Sequence, residues 1–320
     1  MYSLKKLHVL AVAAAMTGAL AACASDTGTG SGFGESAQNG KGSVVLLEQP
    51  WVDLQVENQI AKQLLEKIGY KVSNKNVSVE LGVKGLETGD MDAYLGNWWP
   101  SQKISFGKSI DAGKINVLGT LLTGTEFSPA VPKQTAEKLD ISSLADLDKN
   151  AGKFGKQIYG IEPGTPGNQT VQKMIDEDAY GLGDWKLVES GTPAMLTQVK
   201  RAVKKDQPIV FLAWTPHWMA IEFGTVFLND PKKVWDGAGE IRAVTRAGYA
   251  KKEPEITKFL SNLEFTPDEA GQFYFDRDKK GKSLQQIASA WVKDNPDKVK
   301  EFLEEVKSAD GEPAETKISG

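Results

Sequence analysis

Eight tryptophans occur in this 320-residue chain, and several stand just past apolar, strand-like runs: Trp51 in QPWVDLQ, Trp98 and Trp99 in LGNWWPSQ, and Trp214 and Trp218 in FLAWTPHWMA. The face of an aromatic ring is the negative pole of its quadrupole. Several such faces around a cleft attract a cation too bulky to donate hydrogen bonds, a quaternary ammonium above all. Each contact contributes about 0.5–2 kcal/mol once desolvated. Three or four together suit micromolar binding, which needs about 8 kcal/mol. A tryptophan at a strand end also serves as a core plug, so no single one decides. Three at separate strand ends, each in a turn with Pro or Asp, point to a lined cleft.

Other chemistries find little material. Cys23 is the only cysteine and His217 the only histidine beyond the N-terminal segment, so disulfides and His/Cys zinc sites are not expected. His217 is read as orienting its turn or bonding nearby backbone; no Ser or Asp is spaced with it as a triad. The chain carries 38 basic and 42 acidic residues, a net charge of −4, and shows no basic face of the kind a nucleic-acid binder presents. Neither FGKS nor KKGKS has the earlier glycine of a phosphate loop, and there is no Gly-x-Ser-x-Gly elbow. The expectation is a binding protein without a cofactor or metal, not an enzyme.

The N-terminus suggests a compartment. Lys5 and Lys6 precede the Ala-rich run Val9–Leu20, which is too short to span a bilayer and reads as a secretory signal peptide. It ends in Leu20-Ala21-Ala22-Cys23, which resembles a bacterial lipoprotein signal with Cys23 as the acylated residue. Residues 1–22 are therefore expected to be the signal, and the Gly/Ser-rich stretch 23–42 a flexible tether. The rest is expected to be a body held by lipid at a membrane surface outside the cytoplasm, most simply a monomer. At about 280 residues it is large for a single core and suits two lobes.

Strand and helix patterns alternate along that body. Ser43–Gln49 reads as a buried strand. A helix follows from about Asp53, its N-cap, with Val56, Ile60, Leu64 and Ile68 on one face and Gly69 as its stop. Val77–Val83 reads as the next strand, and Met91–Asn97 follows with alternating character. The scheme restarts with a strand over Lys156–Gly164, a helix from about Asn168, a strand at Trp185–Ser190, a helix over Pro193–Lys205 capped by Thr192, and a buried strand at Pro208–Trp214. Pro254–Val306 reads as helical, with Leu284, Ile287, Ala288 and Trp291 at helical spacing. Alternation of this kind implies α/β lobes with parallel sheets, and ligands then bind beyond the carboxyl ends of the strands. The tryptophans fall there.

NWWP, GIEPGTPGN and WTPHW, in this order behind a lipoprotein-like signal, resemble the substrate-binding proteins of quaternary-amine ABC importers, over about Ser43–Val306. The resemblance implies a two-lobed type II periplasmic-binding-protein fold with the ligand cleft between lobes, 43–130 with 236–320 forming one and 131–235 the other. It also implies a permease and its ATPase as partners. Carried over by motif, the aromatic box is Trp51, Trp98 and Trp214. Phe127 in EFSPAVP stands where relatives carry a Tyr, keeping the ring face without the hydroxyl. Trp99 and Trp218 are assigned to packing.

Asp53 in WVD and Asn168 in EPGTPGN resemble the pair that holds the hydroxyl in the choline-binding branch. A desolvated carboxylate favours a net cation and repels the carboxylate of a betaine. Both residues also suit helix N-caps. Glycine betaine or carnitine would need another partner for its carboxylate, either Lys103 or the Gly164–Asn168 turn, Thr165 and Gly167 included; His217 is a further possible ligand contact. A Trp-lined sugar-binding surface is the reading from a different class. Choline is the favoured ligand.

Overall fold

The structure is a computed structural model that describes residues 42–318, so the signal, Cys23 and nearly all of the tether expected above lie outside the described residues. Ten strands form two five-stranded sheets: β1 (Ser43–Glu48), β2 (Lys71–Asn76), β3 (Ala93–Pro100), β4 (Ile115–Thr123), β5 (Glu126–Pro132), β6 (Gln157–Tyr159), β7 (Lys186–Val188), β8 (Val210–Thr215), β9 (Thr225–Phe227) and β10 (Ala238–Arg246). The first sheet has the order β2-β1-β3-β10-β4 and the second β7-β6-β8-β5-β9. The chain leaves the first sheet after Thr123, enters the second at Glu126, and returns between Phe227 and Ala238. The crossing anticipated at 130/131 thus falls inside β5, whose Phe127 lies opposite Trp214 on β8.

Neither sheet is purely parallel, as alternation alone suggests. β1 runs parallel to β2 and β3, but β10 is antiparallel to both β3 and β4. β6 is parallel to β7 and β8, and β5 antiparallel to β8 and β9. The antiparallel members, β5 and β10, are the first strands after the two crossings. Val44–Leu47 are all buried, as in a central parallel strand whose sheet is covered on both faces.

Three local expectations change. VSVELGV is not a strand: Val79–Thr88 is a helix, capped by Ser78 Oγ, which accepts the Leu81 N–H at 3.4 Å. Its Val79, Val83 and Leu86 are buried at helical spacing, while Leu81, which completes the period-two pattern, is exposed. A Cβ on Gly82 would lie 2.3 Å from Leu47 Cδ2, so this helix seats closely on β1. The strand instead is KVSNKN, a polar segment at the sheet edge recruited by parallel pairing with β1. Second, Asp53 does not cap its helix. The helix is Val52–Lys67, Trp51 occupies the N-cap position without a side-chain bond, and Asp53 lies buried in the first turn. Third, the Thr192–Lys204 helix has Gly191 at its N-cap, with Thr192 already inside.

The C-terminal segment is helical as expected. Its Pro267–Asp278 and Leu284–Asp294 helices pack against Val52–Lys67, on the first lobe. Among the described residues no helix is long and apolar enough to cross a membrane.

Candidate aromatic cation site

A cavity of about 430 Å³, counted to its open mouth, lies between the sheets and is lined by Trp51, Asp53, Trp98, Phe127, Thr165, Gly167 and Trp214, with Ser101, Gln102, Ile161, Pro166 and Tyr274. Each wall arrives from a segment end. Trp51 closes the β1 turn, Trp98 lies near the end of β3, and Trp214 near the end of β8. Phe127 sits between two of them, 6.1 Å from Trp98 and 6.3 Å from Trp214 between ring centroids, edge-on to both. Trp235 steadies it from behind at 5.3 Å and donates its indole N–H to the Phe127 carbonyl at 2.6 Å. All four walls are between 5 and 9 % exposed, so a cation held there is largely desolvated, where cation–π attraction is strongest.

Asp53 is the charged group of the cavity and is 2 % exposed. Its Oδ1 accepts the Tyr274 hydroxyl at 2.8 Å, and among the described residues no Lys or Arg forms an ion pair with it. Burial raises its pKa above the ordinary aspartate value, opposed by bonds from the Leu54 amide and the Tyr274 hydroxyl. One turn along the same helix, Glu57 is 1 % exposed. Burial, then the neighbouring Asp53 and Glu269, push its pKa well above the usual range. Two carboxyls this close in a dry setting do not both ionise at little cost, so a cation that draws out the charge on Asp53 favours the neutral form of Glu57.

The cavity also offers a group for a ligand's polar end. Thr165 precedes the Pro166–Asp176 helix, makes no side-chain cap, and its Oγ1 is buried without a partner. Gly167 follows, and here the absence of a side chain is required: a Cβ would come within 2.5 Å of Phe127 Cζ. Gly167→Ala is expected to push Phe127 into the cavity and lower ligand affinity about tenfold or more, with the unfolding midpoint little changed; calorimetry on the variant checks this.

Four of the sequence candidates are not brought to the cavity. Asn168 is turned away: its Oδ1 accepts the Ile161 N–H at 2.9 Å, and its amide donates to the Ile161 and Glu162 carbonyls and to Glu189 Oε1 at 3.1, 3.0 and 2.8 Å. It pins the loop that carries Thr165, and lies in the third helical position and not at the cap. Lys103 is exposed at the start of the Lys103–Asp111 helix. Gly164 sits in the loop, its N–H on Glu189 Oε1 at 3.4 Å. His217 caps the Trp218–Glu222 helix, its Nδ1 accepting the Met219 N–H at 3.0 Å, and burial presses its pKa down to about 3. Trp99 lies under Arg242, 3.8 Å from the guanidinium, and Trp218 donates to Asp278 at 2.7 Å beneath Lys279.

Sequence reasoning missed Tyr274, along with the lining residues Ser101, Gln102, Ile161 and Pro166. Tyr274 lies in the Pro267–Asp278 helix, whose FYFD run gives no local sign of a ligand.

The family model for the substrate-binding domain of the ABC-type glycine betaine transport system matches residues 42–294. The glycine betaine/carnitine transport binding protein of Listeria monocytogenes is 32 % identical over 168 residues, 52 % of this chain and 56 % of that protein. The chain thus aligns with little more than half the length of that curated relative. Among solved structures, an ABC-transporter choline-binding protein in complex with choline matches with a TM-score of 0.84 at 29 % identity, over 87 % of this chain and 97 % of that one. Lactococcal OpuAC, closed on glycine betaine, matches with 0.73 at 26 % identity, over 81 % and 98 %.

Proposed function

The chain belongs to the family of substrate-binding domains of ABC-type glycine betaine transport systems, and on that premise we propose that it is the receptor of an ABC importer for a quaternary ammonium compound, choline before any betaine. The observation that carries the choice is Asp53, a buried carboxylate among four aromatic walls with no Lys or Arg paired to it among the described residues. Choline brings a permanent positive charge and a hydroxyl. The charge meets the ring faces and Asp53, and the hydroxyl suits Asp53 or Thr165 Oγ1. Glycine betaine would bring a carboxylate into the same small space, where Asp53 repels it.

A second reading has its own support. Thr165 Oγ1 and the start of the Pro166–Asp176 helix form a neutral, donor-rich corner, and a helix N-terminus favours an anion. A betaine that keeps its carboxylate at that corner, away from Asp53, fits the walls equally well. The receptor would hand its ligand to a membrane permease driven by an ATPase, from an extracytoplasmic position held by lipid on Cys23.

Calorimetric titration of the whole chain with choline, glycine betaine, carnitine and a set of sugars tests this. Choline binding in the micromolar range, at least fivefold tighter than betaine or carnitine, is the expected outcome. A tighter betaine or carnitine would move the ligand to the Thr165 corner, and heat from sugars alone would remove the quaternary-amine reading.

A further inference from the structure

Two indole N–H groups of the cavity walls cross the cleft in opposite directions, while a third, that of Trp218, crosses to Asp278 outside the cavity. Trp51, at the start of the first lobe's Val52–Lys67 helix, donates to Glu162 Oε2 of the second lobe at 3.2 Å. Trp214, on β8 of the second lobe, donates to Tyr274 Oη of the first at 3.3 Å. Each acceptor is fixed by its own lobe. Glu162 accepts the Thr192 N–H at 2.8 Å and its hydroxyl at 3.0 Å, at the open first turn of the Thr192–Lys204 helix. Tyr274 is held by donation to Asp53.

We propose that these crossed hydrogen bonds form the latch of lobe closure, with Glu162 and Tyr274 as the positioning residues that set the planes of two box walls as the lobes meet. This rests on the quaternary-amine reading above. A buried indole N–H needs an acceptor. In the closed cleft Trp51 finds its acceptor on the opposite lobe, and so does Trp214. In an open cleft water serves both donors, so the bonds add nothing there. Wall assembly and closure therefore become one event. The open form captures the cation on exposed ring faces, and the latch acts afterwards, so it governs escape more than capture. Gln169 on the second lobe also reaches Glu80 on the first, at 2.5 Å, but at the exposed rim and away from the walls.

The test is stopped-flow tryptophan fluorescence on the whole chain with choline as the probe, resolving association and dissociation rates. Glu162→Ala keeps every ring face. It is expected to raise the dissociation rate about tenfold with association changed less than about twofold, as loss of a bond to a charged acceptor implies. Glu162→Gln, which keeps one acceptor oxygen, falls between and serves if the alanine variant folds poorly. In a Trp51→Phe background, which has no indole donor, Glu162→Ala is expected to add nothing further. The parallel variant is Trp214→Phe, which removes the second donor, keeps the Tyr274–Asp53 bond, and is likewise expected to raise the dissociation rate with association little changed. Equal rate changes in both backgrounds would overturn the latch and leave Glu162 as a cap of its helix. Wild-type binding with unchanged kinetics in Glu162→Ala would do the same. No choline signal from the wild-type chain would remove the ligand reading, and the latch with it.

Discussion

Replacing Trp214 with alanine is expected to weaken choline binding by at least tenfold, and Trp98→Ala by a similar factor. Tenfold corresponds to about 1.4 kcal/mol, within what one desolvated cation–π contact contributes, about 0.5–2 kcal/mol. Trp214 does more than present a face. It packs edge-to-face against Phe127 and His217, and its indole N–H ends on Tyr274. Its loss opens the cavity to water, which weakens the contribution of the walls that remain. Trp214→Phe keeps a ring but loses the N–H, and is expected to fall between the two. Trp185→Phe is the control. It removes an indole from the second lobe's core, where Trp185 packs on Phe154, 5.9 Å away and outside the cavity, and should leave affinity unchanged. A truncated buried Trp costs stability, about 3–5 kcal/mol in a closed core, so the unfolding midpoint is read beside the titration. Near-wild-type affinity in a folded Trp214→Ala variant would remove the aromatic box.

These walls are legible in the sequence because each stands at a segment end, beside a Pro or Asp, after an apolar run. Both cis peptide bonds among the described residues, Trp99–Pro100 and Thr215–Pro216, lie in those same turns. Phe127 is harder to find, because nothing local announces β5. Its place opposite Trp214 follows only from an antiparallel pairing of strands nearly ninety residues apart. Tyr274 is invisible for the same reason, carried further: its partner Asp53 lies 221 residues away, and its own helix carries no motif that marks a site.

Local patterns mislead where packing overrules them. Alternation in VSVELGV imitates a strand, but Gly82 against Leu47 and buried Val79, Val83 and Leu86 favour a helix seated on β1. KVSNKN has little strand character of its own and becomes β2 because β1 offers it a partner. Asn168 stands in the right motif, yet four hydrogen bonds commit its amide to residues 161–162 and Glu189. It shapes the corner that Thr165 and Gly167 present. A side chain's type and spacing locate it near a site; the bonds available to it decide which way it faces.

Asp53→Asn carries the same logic to selectivity. Choline affinity is expected to fall by about ten- to a hundredfold, while glycine betaine affinity stays level or improves. A unit charge about 5 Å from a cation, at an effective dielectric near 20, contributes about 3 kcal/mol. Part of this is offset because Asn keeps an oxygen for the Tyr274 hydroxyl. For a betaine the missing charge removes a repulsion and costs little. The pH dependence follows from the same group. Burial raises the pKa of Asp53 in the free protein, and a bound cation lowers it, so choline binding releases a proton wherever Asp53 is protonated beforehand. Affinity therefore rises with pH up to the pKa of the free protein and is level above it. Burial, and the Asp53 charge once it forms, both favour the neutral form of Glu57. In Asp53→Asn the slope disappears. Calorimetry with choline and betaine across acidic pH reads both effects at once. Equal losses for the two ligands, with the slope retained, would mean that Asp53 shapes the first turn of its helix and does not meet the cation.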